Sequence, residues 1–186
     1  MRTLACFLEE PSARAFLEGV LPRLLPENMD IRYVVFQGKQ DLEKQIGRKL
    51  RCWRKPDTLF LVMRDQDTAI CMKVKENLAR LCKEAGKPDA LVRIACHELE
   101  SFYLGDLPAT GKALGLSDLA ALFGKARYRN PDRIQNPSKE LDRLTHGAYQ
   151  KIGGSREIGK ILPIEGNASH SFNVLVSGIR RICGLT

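Results

Sequence analysis

A chain of 186 residues, 44% of them hydrophobic, is sized for one domain with an ordinary core. Thirty basic residues against 22 acidic ones leave a net charge of +8, which favours a polyanionic partner such as nucleic acid, although the same excess also serves plain solubility. The chain has no apolar run of membrane-spanning length, no basic lead ahead of a long apolar stretch, and no C-x-x-C or Cys/His set with zinc spacing, so no membrane span, secretory signal or zinc site is expected.

The six cysteines are expected to be free thiols in a reducing cytoplasm, with Cys6, Cys71 and Cys96 on the apolar faces of strands and helices. Residues 3–8 read as a buried strand. Pro11 then suits the first turn of a helix whose apolar face is Ala13, Phe16, Leu17, Val20, Leu21 and Leu24. Ile31 to Phe36 is a second strand, Gln37-Gly38-Lys39 a turn, and Asp41 to Leu50 a polar helix. Leu59 to Met63 is a third strand. Asp67 or Thr68 is placed to cap the next helix, which shows Ile70, Val74, Leu78 and Leu81 on one side. Gly86-Lys87-Pro88 stops that helix, and Leu91 to Cys96 is a fourth strand.

Strands and helices alternate, and the strands are continuously apolar. This predicts a mostly parallel, Rossmann-like four-stranded sheet with right-handed crossovers, covered by helices. The texture changes after residue 97. A short helix over 97–104 leads to one or two more within 111–123, and Ser171 to Ile182 is amphipathic. The division expected is an α/β core over 1–105 and a mostly helical, basic extension over 106–186, packed on the core in a single compact domain. Between 125 and 160, nine basic residues stand against Asp132, Glu140, Asp142 and Glu157.

Two strand ends carry acids. Glu9 and Glu10 follow the first strand, and Asp65 and Asp67 end the third in a D-x-D step. The first strand of a doubly wound sheet is central, so its tip can neighbour that of the third, at the edge where such sheets bind ligands. In an extended segment residues i and i+2 point the same way, so Asp65 and Asp67 can reach one ion. Carboxylates gathered in a crevice repel each other unless a cation such as Mg2+ joins them. The plainer alternatives are a solvated loop with a helix-capping Asp67, and acids that decorate the positive start of the following helix. His97, Glu98 and Glu100, just past the fourth strand, can add a carboxylate or a base, or be helix-start acids beside a half-buried histidine. Lys39 can touch a phosphate or be a solvated turn lysine. There is no Walker-type G-x-x-x-x-G-K-[ST], so a P-loop ATPase is not supported. A receiver domain would want a lysine after a fifth strand, and a haloacid-dehalogenase phosphatase would want D-x-D after the first; the residue placement disfavours both.

Together these residues resemble the Toprim domain of topoisomerases, bacterial primases and overcoming-lysogenization-defect nucleases. Its pattern is a Glu after the first strand, matched by Glu9, and a D-x-D after the third, matched by Asp65 and Asp67; Glu10 stands where that family usually has Gly. The likeness covers roughly residues 1–105. Glu9 to Ala13, Arg64 to Asp67, His97 to Asp106 and Asn167 to Phe172 further resemble a bacterial Toprim-like family of unknown function of the RloG type, over the whole chain.

The resemblance implies a phosphodiesterase dependent on Mg2+ (or Mn2+), a nuclease or nicking enzyme, in an antiphage or mobile-element setting with an ATPase partner. On this reading Glu9, Asp65, Asp67 and Glu98 are metal ligands, and Glu9, Asp65, Asp67 and Glu100 carry catalysis. Lys39, Arg127, Arg129 and Arg133 would track DNA or RNA through its backbone. The other reading is a non-catalytic module that binds nucleic acid or an ATPase.

Overall fold

Residues 1–185 are described by the computed structural model, which begins β1 (Thr3–Leu8), α1 (Pro11–Leu24), β2 (Asp30–Val35), α2 (Lys39–Arg51), β3 (Thr58–Asp65), α3 (Cys71–Glu84) and β4 (Leu91–Ala95). The four strands form one parallel sheet in the order β2-β1-β3-β4. All of β1 is buried, as is β3 from Phe60 to Arg64, which is why these strands read as unbroken apolar runs. From β1 the chain steps outward to β2 and then returns across β1 to β3. The carboxyl ends of β1 and β3 therefore flank the point where the winding reverses, the usual ligand crevice of such sheets.

Strand alternation sorts the core into two layers. Leu4, Cys6 and Leu8 of β1, with Leu61 and Met63 of β3, face α1 and the C-terminal helices. Ala5 and Phe7, with Phe60 and Val62, face α2 and α3 through Phe36, Leu42, Ile46, Val74 and Leu78. The register pairs Leu8 with Met63, so the acids that follow inherit this alternation at the sheet edge.

The remaining elements are α4 (Glu100–Leu104), α5 (Leu107–Leu114), three short 3-10 turns (Ser117–Leu122, Ala126–Tyr128, Pro131–Arg133), α6 (Pro137–Leu144), α7 (Lys151–Ile161) and α8 (His170–Cys183). They complete the first layer. Phe16 of α1 meets Phe102, Tyr103 and Phe172 with ring centroids 6.0, 5.3 and 6.1 Å away. The 97–106 and 167–172 segments interlock: Asn167 Nδ2 donates to the Phe102 carbonyl at 2.9 Å, and its Oδ1 accepts the Ser169 amide at 2.8 Å. A Cβ on Gly105 would collide with the Asn167 side-chain oxygen, so the joint requires glycine there. Ser169 Oγ caps α8 by accepting the Phe172 amide at 3.2 Å, and Asp132 accepts from Ser169 Oγ and the Ser171 amide, both at 2.7 Å.

Several expectations need correction. α3 is capped by neither Asp67 nor Thr68; its N-cap is Ile70, which is 61% exposed and no part of the apolar face. That face is Val74, Leu78 and Cys82, a strict i, i+4, i+8 stripe that leaves Leu81 beside it. Cys71 and Cys96 are only half-buried, while Cys6, Cys82 and Cys183 are buried; all six are free. The helix expected from residue 97 begins at Glu100, because His97 takes a left-handed φ of 57°. The basic 125–160 stretch holds two helices, α6 and α7, behind its turn formers. No helix among the described residues is long and apolar enough to cross a membrane.

α1 and α7 cross in direct backbone contact: a Cβ on Gly159 would collide with the Phe16 carbonyl, and one on Gly19 with the Gly159 backbone. Gly159→Ala is therefore expected to force the helices apart and cost about 1–3 kcal/mol. A thermal melt should show a clearly lowered Tm; an unchanged Tm would contradict this contact.

Candidate functional site

The alternation of β3 splits its acidic end. Asp65, in phase with Leu61 and Met63, turns toward α1 and the C-terminal helices. Arg64 turns to the α2 side, where its Nη1 donates to Glu43 Oε1 at 2.7 Å. The Arg64 side chain is 4% exposed, and Asp67 Oδ2 (3.4 Å) and Glu9 Oε2 (3.7 Å) complete its shell of acids. A buried guanidinium so surrounded has its charge balanced, and stripping its partners would be strongly destabilising.

Asp67 does not follow Asp65. Its φ of 56° places it in the left-handed region, outside the extended geometry in which i and i+2 align. Its Oδ2 accepts from Lys39 Nζ at 2.8 Å, so Lys39 serves a carboxylate rather than standing free. The Asp67 corner is locked against the segment that follows β4: its amide donates to the His97 carbonyl at 2.7 Å. Glu9 bridges the two sides, accepting the Asp65 amide on Oε2 at 3.0 Å. Burial raises its carboxyl above the usual range, against the Asp65 bond and the Arg64 charge.

The other half of the site lies under the C-terminal helices. Glu10 accepts from Ser12 Oγ and from Lys151 Nζ, each at 2.8 Å. Glu100 is buried, with Oε1 accepting from Tyr149 Oη at 2.9 Å and Oε2 buried without a partner. Burial pushes Asp65 well above the usual carboxylate range, reinforced by the charges of Glu10, Glu100 and Glu9 and opposed by Lys151. Burial likewise raises Glu100, against Lys151 and the Tyr149 bond. Burial works against the Lys151 charge, but its bond to Glu10 and the charges of Glu10, Glu100 and Asp65 outweigh it and raise its pKa. Lys151 is the internal cation of an acidic cluster.

The predicted residues thus divide. Asp65 and Glu100 come together, with Glu9 at their edge, while Asp67 and Lys39 pair on the far side. Glu98 is engaged elsewhere, accepting the Ser138 amide at 2.8 Å at the start of α6. Among the described residues no three His, Cys, Asp or Glu side chains converge closely enough to hold an ion as they stand. Arg127 and Arg133 lie farther along, beside α6. Arg129 bonds the Gly124 carbonyl at 3.1 Å. Sequence reasoning missed Lys151, Arg64 and Tyr149. Lys151 was counted only as one of nine basic residues, and only the helix pairing brings it 141 positions back to Glu10.

The donors nonetheless suit a hard divalent cation. They are carboxylate oxygens, raised by burial, and one of them is an orphan. A carboxyl raised by folding binds protons more tightly in the folded chain, so it lowers stability progressively as pH climbs from the unfolded carboxyl range near 4 through the folded value. In chelator, Asp65→Asn is therefore expected to raise the Tm at neutral pH, with the gain shrinking toward zero as pH falls to about 4. Melts of both proteins across that range check this; a gain that grows on acidification would refute it.

Among solved structures the chain is similar to the C-terminal region of the Burkholderia pseudomallei OLD protein, at a TM-score of 0.55 and 15% identity, over 97% of this chain and 98% of that one. At that identity the likeness concerns the fold: a parallel α/β sheet flanked by helices, with a helical C-terminal region. No curated protein matches the sequence. The family that does match is described as neither Toprim nor RloG type. Its match runs from residue 8 to 180, across both acidic strand ends and the helices that close over them, and the chain belongs to that family, described as a domain of unknown function (DUF4276).

Proposed function

We propose that the protein is a divalent-metal-dependent phosphodiesterase acting on DNA or RNA, a nuclease or nicking enzyme. The observation that carries this is the unpartnered, buried Glu100 Oε2 beside Asp65 and Glu10, at the crevice between the ends of β1 and β3. The shared fold with the C-terminal region of the OLD protein supports it, as does the Toprim-like placement of Glu9 and Asp65. The ATPase partner and the antiphage setting rest on the sequence resemblance alone.

Asp65 and Glu100, with Glu9 and Glu10 at their border, are the residues that would hold Mg2+ or Mn2+. Such an ion, when bound, polarises a phosphate and acidifies water. The chain's own groups do the rest. Glu100 keeps Oε2 free of protein partners while Tyr149 holds Oε1, so one oxygen is left open to a ligand. Lys151 keeps the cluster partly neutral and offers a positive charge where a phosphate oxygen would gain negative charge. Tyr149 fixes the orientation of Glu100. Asp67 joins only by leaving Lys39 and Arg64.

That engagement of Asp67, and the lack of a converged triad, favour the second reading, a non-catalytic binding module. Thermal stability separates the two. Millimolar Mg2+ or Mn2+ is expected to raise the wild-type Tm, as a ligand at a hundred times its Kd adds about 2.7 kcal/mol. Asp65→Asn with Glu100→Gln should abolish the shift. Asp67→Asn should reduce it only if the loop rearranges on binding. No shift in the wild type would sink the metal reading. A metal shift without metal-dependent cleavage of single- or double-stranded DNA or RNA would leave the module.

A further inference from the structure

Beside α6 lies a groove of about 600 Å3 whose walls include Arg127, Arg133, Lys139 and Arg143, with Glu140 at its base. Four cations face one carboxylate. Glu140 is buried and grips both flanking arginines: its oxygens accept from Arg127 Nε at 3.0 Å and Nη2 at 2.9 Å, and from Arg143 Nη2 at 2.8 Å. Tyr128 Oη at 2.7 Å and Arg143 Nε at 3.4 Å add two more bonds. Arg143 and Arg127, with Tyr128, hold the Glu140 carboxyl down to about 2, so it stays charged and keeps its hold. The two guanidinium side chains remain 61% and 64% exposed, and the Nη1 of each makes no hydrogen bond to the described residues.

A surface built only for solubility would leave its arginines mobile. Here two are fixed in place by a buried anion, with donors pointing outward, so little side-chain entropy remains to be lost on binding an anion. Arg133 and Lys139 are exposed, and Asp132, the nearest acid in sequence, is turned away to cap α8. Lys139 also lines a second, smaller cavity of about 270 Å3, whose other walls include Glu100, Tyr149 and Lys151. The basic groove thus shares Lys139 with the cavity that opens on Glu100 and Lys151, where Asp142 is a second acid.

Resting on the phosphodiesterase reading, we infer that this groove seats the phosphodiester backbone of a nucleic-acid strand and leads it past Lys139 into the acidic crevice. Arg127 and Arg143 grip phosphate oxygens as fixed forks, while Arg133 and Lys139 neutralise the neighbouring phosphates. Arg129, bonded to its own loop outside the groove, takes no part.

The test is fluorescence anisotropy with a labelled single-stranded DNA oligonucleotide in chelator, over a range of salt. Arg133→Gln with Lys139→Gln removes two groove charges without touching the Glu140 cluster. Lys73→Gln with Lys75→Gln removes two exposed charges from α3, outside the groove. The groove pair is expected to bind more weakly and to lower the slope of log affinity against log salt by about 0.7 per lost contact, roughly 1.4 in all, with the α3 pair close to wild type. Equal behaviour of the two pairs, or no binding by the wild type, overturns the inference. So does protection of the wild type by inorganic phosphate without oligonucleotide binding, which would mean a seat for a small anion. The metal-induced Tm shift of the groove pair should match wild type. If the metal shift is absent throughout while binding still depends on the groove, the metal reading fails and the groove stands.

Discussion

Two parallel strands held in register cannot choose independently where their trailing residues point. β1 and β3 pair from Thr3–Thr58 to Leu8–Met63, so the residues just beyond alternate between the layers in step. That constraint places Arg64 among acids on the α2 side and Asp65 among acids on the α7 side. Each half of the sheet edge then needs a cation of its own. Arg64 and Lys39 serve one half and Lys151 serves the other. The remaining architecture meets this need: α7 lies on α1 with glycine at the contact, close enough for Lys151 to reach Glu10, and Tyr149 steers Glu100 into the same space.

The electrostatic consequence is a site under internal tension. Asp65 is pushed toward the neutral acid by burial and by the charges of Glu10, Glu100 and Glu9, and Glu100 by its burial; a single lysine shared with Glu10 only partly relieves them. On the other side of β3 the charges are balanced, and Arg64 there is a structural hub more than a reactive group. A ligand of high positive charge gains most on the Asp65 side.

The parallel sheet, the neighbouring of its first and third strands and the acids at their ends were legible in the sequence because they depend on local pattern: apolar runs, turn residues and alternation. What stayed hidden depends on contacts between distant segments or on single backbone angles. Asp67 looked aligned with Asp65 until a left-handed φ turned it to Lys39. Glu98 could be a site carboxylate or a helix-start acid by sequence, and neither reading showed that the start of α6 folds back onto it. Ile70 fitted a helical stripe that in fact begins one turn later, at Val74. The segments 97–106 and 167–172 stood out in the sequence only as points of resemblance, and nothing local in them showed that they are two sides of one joint.

The hydroxyls of Tyr103, Ser155 and Tyr149 form a buried chain that ends on Glu100, with Tyr103 Oη donating to Ser155 Oγ at 2.8 Å and Tyr149 Oη lying 3.1 Å from the same atom. Ser155 belongs to α7, so Glu100 takes its place only when that helix docks. During synthesis the ribosome releases Glu9, Glu10, Asp65 and Glu100 long before Lys151. A chain made as far as residue 148 thus carries the acids of the crevice without their internal cation and without the tyrosine that orients Glu100. The last third of the polypeptide acts as the latch on the first two, and a product that stops before α7 lacks Lys151 and Ser155 and so cannot assemble the site.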